Sequence, residues 1–273
     1  MACDFDSPAD RYANFSEPDA VSALVTRLRP ELIVNASAHT AVDKAESEPE
    51  LARLINATTP GIIANSARRL GALFIHYSTD YVFDGSDDTP RDETAATRPL
   101  SVYGKTKLEG EELIRSSGCR HLILRTSWVY AARGHNFIKT ILRLAAERDA
   151  LSVIDDQVGA PTGADLLADV TALTISKLNG GEGATGVYHC VAGGTTTWFD
   201  YARFVIEWAR VNGLPVKVAS EAIRPISTSA YPTPATRPLN SRLSTRKLRE
   251  TFSIHLPRWQ VGVERMLRET FGK

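Results

Sequence analysis

No glycine occurs before Gly61. That excludes a glycine-rich phosphate turn from the first part of the chain. Cysteine is scarce as well: Cys3, Cys119 and Cys190 are far apart, with no C-x-x-C and no His–Cys cluster. Neither a disulfide framework nor a zinc site is indicated, and each thiol reads as a small buried hydrophobe. Charge of one sign is absent too. Lys+Arg and Asp+Glu both count 32, so the formal net charge is zero. No basic stripe points to nucleic acid or a membrane surface. No apolar run reaches the roughly 18 residues of a membrane span, and the opening MACDFDSP is too acidic for a signal peptide. A cytoplasmic protein is expected.

What is present is a regular alternation. Helical periodicity runs over about 17–29, 42–70, 98–117, 137–148, 163–178 and 198–211. Short apolar runs at 32–37, 72–78, 121–127, 151–154 and 186–191 read as buried strands. This order predicts an α/β fold with a doubly wound, Rossmann-type parallel sheet and a smaller C-terminal substrate-binding domain. The expected division is 1–126 plus about 163–192 for the Rossmann-type domain, and about 127–162 plus 193–273 for the substrate domain. Between 225 and 238 stand four prolines, a composition unsuited to an interior strand or helix. That stretch reads as a loop reaching over something, followed by helices near 244–251 and 258–271.

In an open α/β sheet, ligands bind beyond the carboxyl ends of the strands. The residues that follow three of the expected strands are small, hydroxylated and polar: NASAHT at 35–40, YSTDYVFDG at 77–85 and RTSWVY at 125–130. The helix after the second of these carries Tyr103 and Lys107, four apart and hence on one face. A phenol can act as general acid or base when its pKa is brought toward the working pH, and a nearby cation lowers it. Alone, Y-x-x-x-K is a weak signal; at one sheet edge with the other two segments it is specific.

The motifs at 34–46 (VNASAHTAVDKAE), 76–85 (HYSTDYVFDG), 101–111 (SVYGKTKLEGE), 125–130 (RTSWVY), 156–163 (DQVGAPTG), 193–198 (GGTTTW) and 231–243 (YPTPATRPLNSRL) together resemble the extended short-chain dehydrogenases/reductases. Within that class they resemble the dTDP-4-dehydrorhamnose reductases. The resemblance implies NADPH- or NADH-dependent reduction of the 4-keto group of a nucleotide-sugar substrate, dTDP-4-dehydro-β-L-rhamnose, as the last step of dTDP-rhamnose synthesis. It implies Tyr103 as proton donor and Lys107 as the cation that holds the phenol's pKa down and bonds the nicotinamide ribose. Thr79 would donate to the substrate carbonyl. Asp80, Trp128 and Arg237 would contact substrate, Arg237 at the diphosphate. Asn14, Phe15, Ala38, His39, Thr40 and Tyr77 would touch the cofactor. Some family members are associated with Mg²⁺ and a homodimer, although no ligand cluster for a metal stands out.

Plainer readings exist for several of these residues. His39 also reads as a strand-end histidine bonded to backbone, Asp80 as a turn former, Trp128 as core and Arg237 as a solvated surface charge. Asp43 and Glu46 read as first-turn acids favoured by the helix dipole, and 193–198 as a helix start capped near Thr197.

The family pattern opens with a strand, a G-x-x-G-x-x-G turn and a helix. No such motif is expected anywhere in this chain, whose first glycine is Gly61. Its start resembles the end of the family's second strand, with Asp4 the best match for the acidic residue at the adenosine ribose and Asp6 next. The expectation is that about 25 residues of the family pattern are missing and that this chain binds NADPH poorly. Two other functions share these motifs: a non-catalytic regulatory subunit, like the relative that serves methionine adenosyltransferase, and a reductase of another nucleotide sugar.

Overall fold

Strands rich in Leu, Ile and Phe alternate with amphipathic helices, and the computed structural model assembles them around a parallel sheet. It describes residues 2–3, 8, 10–178 and 185–272. In chain order the first elements are α1 (Pro18–Leu28), β1 (Leu32–Asn35), α2 (Val42–Ser47), α3 (Pro49–Arg53), α4 (Thr59–Leu70), β2 (Leu73–Thr79), α5 (Val102–Ser117) and β3 (His121–Thr126). Then follow β4 (Val129–Tyr130), α6 (Phe137–Glu147), β5 (Leu151–Ile154), β6 (Val158–Gly159), β7 (Thr162–Gly163), α7 (Ala164–Leu178) and β8 (Gly186–His189). The chain closes with β9 (Thr196–Thr197), α8 (Trp198–Val211), β10 (Ile223–Ile226), α9 (Arg246–Phe252) and α10 (Trp259–Phe271).

The sheet has the order β1-β2-β3-β8, parallel throughout. Successive side chains of a strand point to opposite faces. Phe74 and Ile123 accordingly meet α1, α4 and α5 through Val21, Ile63, Ala64, Ala67 and Ile114. Leu73, Ile75, Leu122 and Leu124 meet α7 and α9 through Leu167, Val170, Leu248 and Phe252. Both faces are covered, as a doubly wound sheet requires. β1 is an outer strand of this sheet, and its Val34 is 43% exposed.

A second core lies beside the sheet. It gathers Ile138, Ile141 and Ala145 of α6, Leu151 and Val153 of β5, Val205 and Ile206 of α8, and Val263 and Leu267 of α10. The sequence assigns all of 193–273 to this unit, whereas Leu248, Phe252, Ile254 and Leu256 pack into the sheet's core.

Two differences from the sequence reading have clear causes. The expected single helix over 42–70 is broken. Pro49 disfavours helical backbone at the residue before it, and Glu48 leaves the helical region there (φ −128°, ψ 52°). Residues Leu54–Thr58 then form a π turn, a local widening often found at functional sites. The proline-rich stretch also starts as a strand: β10 pairs with β5, with Pro225 opposite Val153. This sheet has two strands only, so a residue without an N–H fits at its edge.

Beyond β10 the chain forms the strap expected from its prolines. Val158 N–H donates to Leu239 O, Ser241 N–H to Val158 O, and Asn240 N–H to Gly85 O. Gly85 has φ +71°, and a Cβ there would lie 2.5 Å from Pro238. Glycine is therefore required where the strap crosses the loop after β2.

Candidate active site at the end of β2

Helix α5 is positioned by three local devices. Ser101 caps it, its hydroxyl accepting from Gly104 N–H at 3.2 Å. Glu46 of α2 accepts from Val102 N–H at 2.8 Å. Glu46 therefore serves the start of the tyrosine helix and not merely its own first turn, a role that a partner 56 residues away conceals from sequence periodicity. Gly104 and Gly110 allow close approach of backbones. A Cβ on Gly104 would stand 2.3 Å from Tyr81 O, and one on Gly110 would stand 2.2 Å from Asn56 O.

Tyr103 is half-buried and packs edge-on against Tyr81, with ring centroids 5.5 Å apart. Burial pushes its phenol up to about 12, the Thr79 hydroxyl works against that, and the Asp80 charge adds to it. Lys107 is buried, and burial brings its amine down to about 8, with Glu111 pulling the other way. The lysine nitrogen donates to Tyr77 O at 2.6 Å and lies 3.1 Å from His76 Nε2. The expected lowering of the tyrosine by the lysine charge is thus absent here: burial dominates, and the lysine is turned to β2.

Thr79 ends β2. Its hydroxyl donates to Asp80 Oδ1 at 3.0 Å and accepts from Tyr81 N–H at 3.2 Å, capping a short 3-10 turn over Asp80–Val82. Asp80 forms a turn, as its plainer reading has it, yet its side chain is buried and its Oδ2 has no hydrogen-bond partner among the described residues. Burial pushes its carboxyl up to about 6, against the hydroxyls of Ser241 and Thr79 and nearby backbone N–H groups. Ser241 stands in the strap motif, but nothing in its residue type marked it for the site.

The Asp80 shift carries a stability signature. In the unfolded chain an aspartate ionises near about 3.9. The folded chain holds the proton longer, so this contribution is complete below about pH 4 and is lost as pH rises through about 6, where ionised buried Asp80 costs about 3 kcal/mol. Asp80→Asn is expected to be free of that loss. Urea midpoints of the two proteins then diverge in favour of the variant between about pH 4 and pH 6.5. A constant difference across that window would refute the assignment.

Trp128, after β3, adopts φ +48°, a backbone region uncommon for a bulky residue and concentrated at functional sites. Its ring stacks on Trp198 at 3.7 Å and 15°. Trp198 in turn donates to Gln157 Oε1 at 3.1 Å. Gly159 backs the Trp128 ring and also borders Ser241, which ties the tryptophan to the Asp80 side of the site. Trp198 was missed as a site residue because the segment before it read as a helix start, which it also is: Thr197 caps α8 by accepting from Asp200 N–H.

The remaining expected residues fall in several places. The π turn aims Asn56 at the loop after β1, where its amide accepts from His39 N–H at 2.8 Å and donates to His39 O at 3.1 Å. Ala38, His39 and Thr40 are thereby held at the strand end. The His39 ring lies 3.5 Å from Glu48. Tyr77 bonds Thr171 of α7 at 2.7 Å through its hydroxyl, so only its carbonyl faces Lys107. Phe15 packs into the core with Val21 and Ile63, and Asn14 forms a turn with Ser16 N–H. Asp4 and Asp6 lie outside the described residues.

Arg237 is engaged by Asp43, with contacts of 3.1 and 2.7 Å, and also bonds Thr233 and Ala235 O. The Arg237 guanidinium holds the Asp43 carboxyl below its usual value, burial opposing. Arg237 is therefore neither a free surface charge nor an open diphosphate fork; Asp43, expected only as a first-turn acid, is its partner.

Tyr103 and Lys107 fit the nicotinamide-ribose part of a dinucleotide, with a half-buried phenol and a buried amine on one helix face beside a pinned loop. Contrary to the expectation of no such motif, glycines of G-x-x-G-x-x-G spacing do occur, at Gly180, Gly183 and Gly186. Gly180 and Gly183 follow α7 and Gly186 opens β8, the reverse of the strand–turn–helix order of a pyrophosphate cradle, and Gly180 and Gly183 lie outside the described residues. Among the described residues, no group of three or more His, Cys, Asp or Glu could hold a metal ion, which leaves the magnesium expectation without a site. No described helix is long and apolar enough to cross a membrane.

Residues 3–271 match the family described as RmlD substrate binding domain. The chain belongs to this family. Among curated relatives of this RmlD-family chain, the dTDP-4-dehydrorhamnose reductase of Escherichia coli (strain K12) is 57% identical over 96% of the chain and 87% of the relative. The enzyme of that name from Burkholderia thailandensis is 43% identical over 96% of the chain and 89% of its own length. A solved structure of the Bacillus anthracis dTDP-4-dehydrorhamnose reductase in complex with NADP superposes with a TM-score of 0.84 at 32% identity, covering 97% of this chain and 93% of that one.

Proposed function

We propose that this chain is an NAD(P)H-dependent reductase that converts the 4-keto group of dTDP-4-dehydro-β-L-rhamnose to the alcohol of dTDP-L-rhamnose. The observation that carries this is a half-buried tyrosine with its proton firmly held, beside the buried Thr79 and Asp80 and one helical turn from Lys107. A bound nicotinamide cofactor would supply the hydride. As negative charge develops on the keto oxygen, Tyr103 delivers its proton there. A phenol raised to about 12 begins the reaction protonated, which is what reduction needs of it. Thr79, released from Asp80, donates to the same oxygen. Asp80, with an unpartnered oxygen in a buried setting, accepts from a sugar hydroxyl, and Trp128 with Trp198 behind it forms an apolar wall for the sugar ring. Tyr103 and Lys107 line the nicotinamide ribose, and the Ala38–His39–Thr40 backbone lines the adenosine side. The strap with Arg237 closes over the nucleotide diphosphate when Asp43 yields the guanidinium to it.

The test is NADPH oxidation on addition of dTDP-4-dehydro-β-L-rhamnose, with dTDP-L-rhamnose identified as product. Cofactor oxidation that does not depend on the keto sugar, or none at all, counts against the reading.

A further inference from the structure

The strap between β10 and α9 carries three hydrogen-bond donors that converge on one carboxylate. Arg237 Nη1 and Nη2 donate to Asp43 Oδ1 and Oδ2 at 3.1 and 2.7 Å. The Ala235 N–H donates to the same Oδ1 at 3.2 Å. This cradle is shaped within the strap itself. Thr233 donates its hydroxyl to Ala235 O at 3.0 Å and accepts from Arg237 Nη1, which also donates to Ala235 O at 3.1 Å. The carboxylate comes from elsewhere. Asp43 stands in the first turn of α2, just beyond the Ala38–His39–Thr40 loop. The Arg237 hydrogen bond holds its carboxyl below the usual value, so the cradle is filled by a full negative charge.

A two-pronged guanidinium with a backbone N–H beside it is a donor set that suits phosphate oxygens as well as a carboxylate. Two observations mark the cradle as an occupied anion site more than a strut of the fold. The first is its openness to water. Arg237 and Asp43 are 22% and 41% exposed at their side chains, and a pair exposed to that degree adds little to stability. The second is its place. Tyr81 packs edge-on against Tyr103, and Asp80, Arg237 and Asp43 are all among the charged groups around its phenol. A sugar seated at Tyr103 and Asp80 has the cradle on the far side of Tyr81, where an attached diphosphate can reach it.

We propose that Asp43 is an internal stand-in for phosphate: it fills the Arg237–Ala235 cradle in the unliganded chain, and a nucleoside diphosphate binds by displacing it. The carboxylate thereby sets the affinity for the ligand below what the cradle alone would give. Asp43 touches no reacting atom in this scheme, because it acts through Arg237.

The inference rests on the reductase reading, which brings a nucleotide diphosphate to Arg237. Its test is dTDP binding followed by calorimetry, with neither cofactor nor turnover. Asp43→Asn is nearly isosteric and is expected to bind dTDP about three- to ten-fold more tightly than the parent chain. Asp43→Ser removes the carboxylate by another route and is expected to agree, which keeps the result readable if one of the two folds poorly. Arg237→Met is expected to weaken binding about tenfold or more. Losing any negative charge near a diphosphate favours it, so the double variant separates displacement from bulk charge. In Arg237→Met/Asp43→Asn the gain from Asp43→Asn is expected to vanish. An equal gain in both backgrounds overturns the proposal. So does a folded Asp43→Asn protein that binds dTDP no better than the parent, the result expected of a clasp that only holds the strap shut. Either outcome leaves the reductase reading intact, since that reading stands or falls on the turnover assay.

Discussion

Replacing Arg125 with Met is expected to lower the stability of the fold by about 3–5 kcal/mol. Arg125 and Glu111 form a two-pronged ion pair, Nε to Oε1 at 2.9 Å and Nη2 to Oε2 at 2.6 Å, with side-chain exposures of 4% and 0%. The Ser78 hydroxyl adds a third donor to the same carboxylate at 2.6 Å. The guanidinium also lies 5.1 Å from the Phe83 ring centre. Methionine fills much of the same space but leaves an ionised carboxylate under the lysine of the site with only a hydroxyl for company. Removing one partner of a buried pair is far costlier than removing both. The double variant Arg125→Met/Glu111→Leu is therefore expected to recover most of the loss. Urea unfolding of the three proteins measures this; single and double variants equally destabilised would show that the carboxylate is not the source. The exposed pair Arg53–Glu109 has equally good geometry, but in water its removal is expected to cost at most about 1 kcal/mol.

Tyr103→Phe is expected to lower kcat/KM for the keto sugar by about 10²–10⁴-fold, the usual worth of a positioned general acid. The ring stays, so its edge contact with Tyr81 and the fold are retained. Folding and NADPH affinity, followed by circular dichroism and calorimetry, are expected to change little beside the loss of turnover. A variant that keeps most of the parent's activity would remove the phenol from the chemistry. The same measurement separates the reductase from a regulatory subunit of the same fold, whose partner binding has no need of a phenol proton.

The parts of the molecule legible from sequence are those fixed by local pattern. The strands of the central sheet, the tyrosine helix and the polar residues after each strand follow from periodicity and from what a parallel sheet places at its carboxyl edge. The parts that were not legible depend on distant partners. Glu46 is an ordinary first-turn acid until Val102 N–H arrives above it. Asp43 and Arg237 are 194 residues apart, so neither predicts the other. Asn35 and His76 lie inside apolar runs where polar residues carry no periodic signal, and only the register of β1 and β2 pairs them.

The order in which the segments join the two cores also bears on how the chain reaches its fold. The sheet waits for β8, which comes after the whole excursion through β4 to α7. Its second face, begun by Leu167 and Val170 of α7, is completed only when α9 brings Leu248 and Phe252 down beside Tyr188. The contact between Asp43 and Arg237 closes a comparably long loop. Contacts of such separation form late and slow the search for the native state. On a ribosome, Ile75, Leu122 and Leu124 are covered on that face by α7 alone until almost the entire chain has emerged, so nascent chains stalled before α9 are expected to be stickier and more protease-sensitive than the full chain.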